Sequence, residues 1–352
     1  MVIRYPSYYE KFTCIAAECK DNCCIGWEID IDERTNKYYQ NINGDFGKRL
    51  KKSINTDDEP CFILGENERC PFLNKNNLCD IILNLGENKL CDICTRHPRF
   101  FNEYGNLREI GVGLCCESAC KLILTSNENF SLITTQNDED NDEELSDVDF
   151  FDLIYSSRND IFEILKNDGL SVEKRLIETL KYAYEIEEDY DLYLEKNVNN
   201  INIINQCHKI FNFYKGLEQL DKKWIDILNS ADKNIQNILN NRQAFTNYYG
   251  DRNSQFKNLA EYFVYRYFIK ANDDYNILSK IILTALSVFI IKALAIDEWL
   301  QNGRFNVENL IQIAKMYSKE IEYSAENLDS FENASYEKEE FNIQNIIAMF
   351  SE

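Results

Sequence analysis

The stretch CIAAECKDNCCIGWEIDID, from Cys14 to Asp32, places four cysteines close together and then alternates apolar with acidic residues. It opens a segment that holds twelve of the 13 cysteines in this 352-residue chain, all of them before residue 121. Thiols packed so densely serve as disulfides, metal ligands or redox groups. The alternation from Gly26 to Asp32 predicts a short strand with one buried face, and Glu33–Tyr39 predicts the opening of a helix.

Two features of the sequence favour reduced thiols. Residues 1–12 show neither the apolar core nor the small-residue cleavage site of a secretory signal. The longest apolar run, Ile281–Ile296, is short for a membrane span and contains Lys292, which favours a buried core helix. We therefore expect a cytoplasmic protein, in which metal or cluster ligation is favoured over a disulfide framework.

The net charge of −22 is concentrated in the cysteine-poor part of the chain. Residues 1–124 hold 16 basic and 19 acidic side chains, whereas the remainder holds 22 and 41. A surface this acidic repels phosphate groups and anionic lipids. We therefore expect neither nucleic acid nor a membrane as a partner.

Helix-breaking residues divide the chain into two parts. All four prolines precede residue 99, and only four of the 12 glycines follow Gly113. The residues beyond follow helical spacing, as in the apolar series from Phe256 to Tyr267. This pattern predicts a mainly α protein, in which a cysteine-rich metal-binding N-terminal domain with little β precedes an all-helical C-terminal domain.

The predicted domains are residues 1–124, which would bind the metal or cluster, and residues 148–352, which would be all-helical. Between them, residues 125–147 are predicted to form an acidic linker or surface loop. The reason is that Gln136–Asp147 combines few apolar residues with strong negative charge.

The spacing of the cysteines indicates metal ligation. Cys91 and Cys94 form the strongest candidate pair, because two intervening residues let both sulfurs reach one metal from a tight turn. Adjacent cysteines such as Cys23 and Cys24 usually point in different directions, so one can ligate while its neighbour packs in the core. With only two histidines in the chain, the ligands are mainly thiolates, which suit an iron–sulfur cluster and a four-thiolate zinc site equally.

An ordered set of motifs goes further than the spacing alone. It comprises Phe12-x-Cys14, Cys19-x3-Cys23-Cys24-x-Gly26-Trp27, Cys70-Pro71-Phe72-Leu73, Leu78-Cys79-x-Ile81, Leu85-Gly86-Glu87, Leu90-Cys91-x2-Cys94 and His97-Pro98-Arg99. Together these motifs resemble the flagellin lysine-N-methylase family, part of a wider group of cysteine-rich zinc- or iron-chelating proteins. Two later segments, Leu220–Trp224 and Asn258–Ala271, are also similar to that family.

The resemblance implies methyl transfer from S-adenosylmethionine to surface lysines of flagellin by an enzyme with a 4Fe–4S cluster, with zinc as the alternative metal. It also implies the metal ligands, which are Cys14, Cys19, Cys23, Cys24, Cys70, Cys79, Cys91, Cys94 and Cys116. Cys61, Cys115 and Cys120 fall outside the family's pattern. The family has Ser-Cys-Pro-Glu where this chain has Cys115–Ser118, a departure that leaves room for a second metal or for different ligation.

Candidate cofactor contacts follow the last cysteine pair. Arg96 and Arg99 flank His97 and Pro98, where they can donate to cluster sulfurs or clamp a carboxylate. The alternative for both arginines is solvated charge beside a turn. No Gly-x-Gly-x-x-Gly motif follows a strand, so the S-adenosylmethionine site is expected in the cysteine-rich head.

The sequence leaves the catalytic residues unidentified. A lysine amine attacks a methyl group only when it is neutral, and its usual pKa is ~10.4, so a site must remove the proton by desolvation or with a base. With 21 tyrosines and 60 acidic residues in the chain, the sequence does not indicate which of them acts as the base. The aromatic stripe from Tyr262 to Tyr267 is predicted to belong to the hydrophobic core or, together with Arg266, to line a groove for a lysine side chain. Asn258–Ala271 is predicted to be a long helix of the acidic domain, whose surface docks lysine side chains.

Two other functions fit the same residues. One is a metal-binding or electron-transfer protein without transferase activity, for which the cysteine-rich head would suffice. The other is an interaction protein in which zinc stabilises the cysteine-rich N-terminal domain and the helical domain binds a partner. Colour separates these possibilities, because an iron–sulfur protein purified without oxygen is brown and a zinc protein is colourless.

Overall fold

The computed structural model describes residues 1–20, 22–56, 59–126, 129–138, 145–188 and 201–351. The strands are β1 Val2–Pro6, β2 Ile54–Asn55, β3 Cys61–Phe62, β4 Arg99–Tyr104, β5 Leu107–Val112 and β6 Leu132–Gln136. The helices are α1 Glu33–Gln40, α2 Gly44–Lys52, α3 Asp80–Leu85, α4 Asp92–Arg96, α5 Glu117–Leu124, α6 Val148–Leu165, α7 Val172–Glu188, α8 Ile203–Gly216, α9 Lys222–Lys233, α10 Ile235–Asn240, α11 Arg242–Tyr249, α12 Ser254–Tyr267, α13 Ala271–Asp274, α14 Ile277–Asn302, α15 Val307–Tyr317, α16 Ala325–Glu337 and α17 Ile343–Phe350. Helix dominates the described residues, which confirms the mainly α prediction.

A four-stranded sheet joins parts of the chain that are far apart in sequence. Its strand order is β4-β5-β1-β6. β1 runs parallel to β5, with Val2 opposite Leu107, and antiparallel to β6, with Val2 opposite Gln136. The segment between β1 and β4, residues 7–98, is therefore an insertion that leaves the sheet and returns to it.

Two hydrophobic cores follow from this topology. The smaller core lies within the insertion and includes Ile29. The larger core joins the C-terminal helices to Tyr8, at the start of the insertion, and to residues that follow it, such as Leu114. We call residues 13–98 the cysteine lobe and the rest of the chain the helical domain. This division differs from the predicted domain boundaries, because residues 99–124 bury their apolar side chains against the helical domain.

The predicted acidic linker contains regular structure. Its residues Leu132–Gln136 form β6, which pairs along its whole length with β1. Asp147 accepts a hydrogen bond from the Phe150 N–H at 2.9 Å and thereby caps α6. In its described parts, the interval 125–147 thus contains an edge strand followed by a helix cap. Residues 127–128 and 139–144 lie outside the described residues.

Gly26–Asp32 does not form the predicted regular strand, but its predicted buried face is confirmed. Ile29 and Ile31 are buried, with 4% and 3% of their surface exposed. The segment meets β3 through an isolated bridge between Asp30 and Cys61, in which the Phe62 N–H donates to the Ile29 carbonyl at 3.0 Å. The helix that follows, α1, begins where it was predicted.

Two helices form the centre of the helical domain. α14 is long and apolar enough to cross a membrane, yet 94% of its most apolar window is buried inside the protein, as predicted for a core helix. α12 packs against α14, α5 and α6, and every residue from Gln255 to Tyr267 is buried. Asn258–Tyr267 is helical as predicted, but its side chains are buried, so they do not form the surface that was predicted to dock lysines. The polar groups of α12 are used internally; Asn258 Nδ2, for example, donates to the Ile123 carbonyl at 3.2 Å.

Glu261 on α12 makes a pH-dependent contribution to stability. Its side chain is 3% exposed and pairs with Lys257 Nζ at 3.7 Å. Burial raises the pKa of Glu261 to about 7. A carboxyl whose folded pKa lies above its unfolded value of ~4.3 stabilises the fold below that value and loses this contribution as the pH rises through the folded pKa.

Glu261→Gln should therefore raise the free energy of unfolding by about 2 kcal/mol near pH ~8 and change it little near pH ~5, as measured by urea unfolding. The control is Glu178→Gln on α7, which removes a half-exposed carboxylate paired with the half-exposed Lys181. This variant should change stability little at either pH. An equal gain for Glu261→Gln at both pH values would contradict the assignment.

Candidate functional site

Five cysteines converge in the core of the cysteine lobe. This main thiol group consists of Cys24, Cys70, Cys79, Cys91 and Cys94. The side chains of Cys91 and Cys94 lie within hydrogen-bonding reach, and Cys94 also interacts electrostatically with Cys24 and Cys70. Cys79 interacts with Cys70 and Cys91. Cys70 and Cys91 are buried, and the other three pack against the smaller core.

Burial and hydrogen bonding act in opposite directions on the main thiol group. Burial raises the pKa of Cys70 to about 11, although two backbone N–H groups beyond Pro71 face its sulfur and lower the pKa. Two N–H groups in the first turn of α3 act on Cys79 in the same way. The neighbouring Cys94 thiol lowers the pKa of Cys91. Because N–H groups directed at sulfur stabilise the thiolate, these turns favour the form that binds metals.

A second thiol group lies against α5 and consists of Cys19, Cys23 and Cys116. Burial raises the pKa of Cys116 to about 11, and Cys19 and Cys23 are its electrostatic neighbours. N–H groups in the first turn of α5 oppose this shift. Cys23 also interacts with the Cys24 thiol, so this adjacent pair joins the second thiol group to the main one.

The loop that carries the first cysteines is tied to α5 by Glu117. Its Oε2 accepts from the Lys20 N–H at 3.0 Å and, weakly, from Cys19 Sγ at 3.9 Å. Cys14 is exposed, and its sulfur accepts from the Ala16 N–H at 3.4 Å. The structure thus gives Cys14 a local contact and does not show it as a member of either thiol group.

The remaining cysteines have other surroundings. Cys61 lies in β3 near Glu28, and Cys115, Cys120 and Cys207 are buried outside the cysteine lobe. Among the described residues, no three His, Cys, Asp or Glu side chains are grouped tightly enough to hold a metal ion. Eight of the nine predicted ligands therefore gather in two neighbouring groups, but their side chains do not close a coordination sphere.

The two predicted cofactor arginines are held by other partners. Arg96 is exposed and pairs with Asp92 of its own helix at 3.8 Å. Arg99 Nε donates to the Tyr9 hydroxyl at 3.1 Å, and its guanidinium lies 5.3 Å from the centroid of the Phe12 ring. These contacts orient both side chains. None of them indicates that either arginine binds a cluster or a carboxylate.

A buried polar cluster, which the sequence did not identify as a site, lies between the two parts of the protein. This seam cluster consists of Tyr262, Arg266, Tyr267, Glu322 and Tyr323. Glu322 Oε2 accepts from the Tyr262 hydroxyl at 2.7 Å and from the Tyr267 hydroxyl at 3.0 Å. Arg266 Nη1 lies 3.0 Å from the same oxygen. Glu322 Oε1 is also buried, and it has no hydrogen-bond partner among the described residues.

The seam cluster faces the cysteine lobe through Tyr323. The Tyr323 hydroxyl interacts with the Cys115 thiol, and its ring meets that of Trp27 edge-on, with centroids 5.3 Å apart. Gly113 permits this approach, because a Cβ there would lie 2.5 Å from the Tyr323 hydroxyl. The seam cluster thus lies at the junction of the cysteine lobe and the helical domain. Cys115, which the Tyr323 hydroxyl contacts, is next in sequence to Cys116 of the second thiol group.

Part of this cluster had a signal in the sequence. The aromatic stripe from Tyr262 to Tyr267 was predicted to be core or a lysine groove, and the structure shows it buried around Arg266. The role of Glu322 could not be predicted from the sequence. It lies in a π-helical turn, Ser318–Glu322, and no local sequence motif indicates such a turn. Such turns are frequent at functional sites.

The fold and the site define a mainly helical protein in which a thiol-rich lobe packs on a buried acid–arginine–tyrosine cluster. Comparison with known proteins assigns the family. The family model for the FliB lysine N-methylase C-terminal domain matches residues 158–349, more than half of the chain. The protein therefore belongs to the flagellin lysine-N-methylase family, which confirms the resemblance seen in the sequence motifs.

Individual relatives match over a shorter stretch. The lysine-N-methylases of Salmonella typhimurium and Salmonella choleraesuis are each 27% identical over 140 residues, or 38% of this chain and 35% of each relative. The flagellar biosynthetic protein FliU of Salmonella muenchen is 27% identical over 140 residues, which cover 82% of that protein. The match thus spans about a third of the two lysine-N-methylases. No solved structure matches the chain.

Proposed function

We propose that the protein transfers methyl groups from S-adenosylmethionine to lysine side chains of flagellin. The observation that carries this proposal is the family match over residues 158–349, which includes the whole seam cluster. The Salmonella relatives named lysine-N-methylase and flagellar biosynthetic protein FliU support the acceptor residue and the flagellar substrate. The structure adds a buried polar site at the junction where substrate and methyl donor could meet.

The reaction sets a clear demand on the protein. The amine nitrogen forms a bond to the methyl carbon while the sulfur–carbon bond of the donor breaks, and the electron pair of that bond stays on sulfur. A lysine ammonium has no lone pair to donate, so its proton must leave before the methyl group is transferred. A buried site favours the neutral amine, because burial penalises the charged form.

The thiols fit the metal centre that the family implies. Sulfur ligands suit iron–sulfur clusters and zinc alike, and the main thiol group supplies five of them in an apolar core with N–H groups directed at sulfur. In this proposal the main thiol group holds a 4Fe–4S cluster, and Cys19, Cys23 and Cys116 stand beside it for a second metal or for alternative ligation. When bound, such a cluster could offer an iron position to the amino and carboxylate groups of the methyl donor. Zinc is the alternative metal.

Methylation of flagellin by the purified full-length protein tests the proposal. Incubated without oxygen with S-adenosylmethionine and flagellin of the same organism, the protein should methylate lysines, as read by peptide mass spectrometry. The rate should fall as salt shortens the Debye length to ~8 Å or less, because the acidic surface attracts lysine side chains.

The control is flagellin whose lysines have been acetylated, which should gain nothing, because an amide nitrogen has no lone pair available to attack the methyl group. Unmodified native flagellin, with the metal centre shown to be intact, would instead support a metal-binding protein without transferase activity. Methylation that is indifferent to salt would preserve the function but remove the role of the acidic surface.

A further inference from the structure

The most unusual group in the seam cluster is the second carboxylate oxygen of Glu322. Its side chain is 1% exposed, and all three donors around it, Tyr262, Tyr267 and Arg266, act on Oε2. Oε1 is left without a hydrogen bond from any described residue. A buried acceptor without a partner is costly, so a native structure that keeps one reserves it for a ligand, a water molecule or a catalytic role.

The chemical surroundings of Glu322 Oε1 restrict which group can be its hydrogen-bond partner. Its partner must be a hydrogen-bond donor, because carboxylate oxygens only accept. Arg266 already compensates the charge of Glu322, so the site is neutral overall and a further cation would be buried without an anion. A neutral amine, by contrast, supplies an N–H donor and adds no charge.

The side of the cluster that faces the cysteine lobe suits a lysine side chain. Tyr323 and Trp27 are only partly buried and lie in edge-on contact at the surface of the seam. Lys319 Nζ lies 5.6 Å from the centroid of the Trp27 ring, so this ring already accommodates an alkylammonium group of the protein itself. The aliphatic part of a lysine could therefore pack against these two rings while its nitrogen reaches inward.

We infer that the seam cluster is the acceptor site for the substrate lysine, with Glu322 Oε1 accepting an N–H of the neutral ε-amine. This inference rests on the proposed function and deepens it, since it names the group that orients the amine. The ammonium releases its proton to solvent on entering the neutral site. The amine lone pair then forms the new bond to carbon, and the product leaves as a methylammonium ion.

Binding of n-butylamine to the full-length protein tests the site without requiring transfer. Because the neutral amine is the bound form, the apparent affinity should rise ~10-fold per pH unit between about pH 7 and pH 9, below the amine pKa of ~10.4. Isothermal calorimetry in two buffers of different ionisation enthalpy should show about one proton released per amine bound. Binding of the ammonium ion to the acidic surface would show neither behaviour, and either its dominance or the absence of binding would overturn the inference.

The variant Glu322→Gln tests whether Glu322 is the residue that binds the amine. The tyrosines and Arg266 hold an oxygen at the Oε2 position, so the glutamine must place its NH2 group where Oε1 was, and a charge-assisted acceptor becomes a donor. Amine binding should weaken at least ~10-fold. The matched control is Glu320→Gln in the same turn, because Glu320 accepts from the Leu220 and Asp221 N–H groups at 2.9 and 2.8 Å on another side of the helix.

Glu320→Gln should bind n-butylamine within about twofold of the wild type. Equal binding by Glu322→Gln and wild type would overturn the assignment. The pH dependence and proton release are measured on the wild type, so they decide the question even where Glu322→Gln does not fold. Amine binding with the expected pH dependence, but no methylation of flagellin, would uphold this site and reject the proposed function.

Discussion

Cys91→Ala and Cys94→Ala should each abolish the metal binding proposed for the main thiol group and unfold the cysteine lobe while the helical domain stays folded. The smaller core is built from few side chains, and Cys70 and Cys91 are themselves part of it. Metal binding to thiolates contributes about 10–16 kcal/mol in small zinc domains, so the metal should supply much of the stability of such a lobe. Native-state hydrogen exchange should show loss of protection in residues 24–94 and near-normal protection in α12 and α14.

Metal analysis without oxygen accompanies this prediction. The wild type should contain iron and sulfide, and both lobe variants should lose them. Cys207→Ala is the control, because Cys207 is buried in the helical domain beside Arg242 and should leave the metal content unchanged. Normal metal content in both lobe variants, or equal loss in Cys207→Ala, would refute the ligand assignment. Stoichiometric zinc without iron would replace the cluster with a zinc site.

Arg158→Met should lower the free energy of unfolding by about 3–5 kcal/mol, because it leaves the buried Glu109 carboxylate without its main partner. Arg158 Nη1 and Nη2 donate to the two Glu109 oxygens at 2.7 and 2.5 Å, and both side chains are fully buried. The pair joins β5 of the sheet to α6 of the helical domain. Urea unfolding at neutral pH measures the effect.

A surface pair provides the comparison. Lys166 pairs with the exposed Glu163 at 2.9 Å, and Lys166→Met should change stability by about 0.5 kcal/mol or less. The double variant Glu109→Leu with Arg158→Met should regain much of the lost stability, because it removes both buried charges together. A loss below about 1 kcal/mol in Arg158→Met would contradict the expectation that the Glu109 carboxylate depends on Arg158 as its main partner.

Features with a local cause were predicted well from the sequence. The long apolar run that became α14 lies in the core, and the alternation at Ile29 and Ile31 gave the correct buried positions. The spacing of Cys91 and Cys94 also anticipated their contact. Each of these outcomes depends on neighbouring residues, which a periodic pattern or a short motif records directly.

Features with a distant cause were missed. β1 pairs with β5 across more than a hundred residues, and no local signal encodes such a parallel pairing. β6 was hidden by the acidic residues that follow it. The surface role predicted for α12 failed because its polar residues have internal partners, among them Glu322, which lies more than fifty residues away in sequence from Arg266 and Tyr267. Only the folded chain brings these groups together.

Transfer of an isotopically labelled methyl group tests the central claim most directly. The full-length protein, with its metal centre intact and oxygen excluded, is incubated with flagellin and S-adenosylmethionine that carries a trideuterated methyl group. We expect peptide mass spectra to show deuterated methyl groups on flagellin lysines and on no other residue type. Flagellin that carries no label after incubation with the intact holoprotein would contradict the proposal that this protein is a lysine methyltransferase.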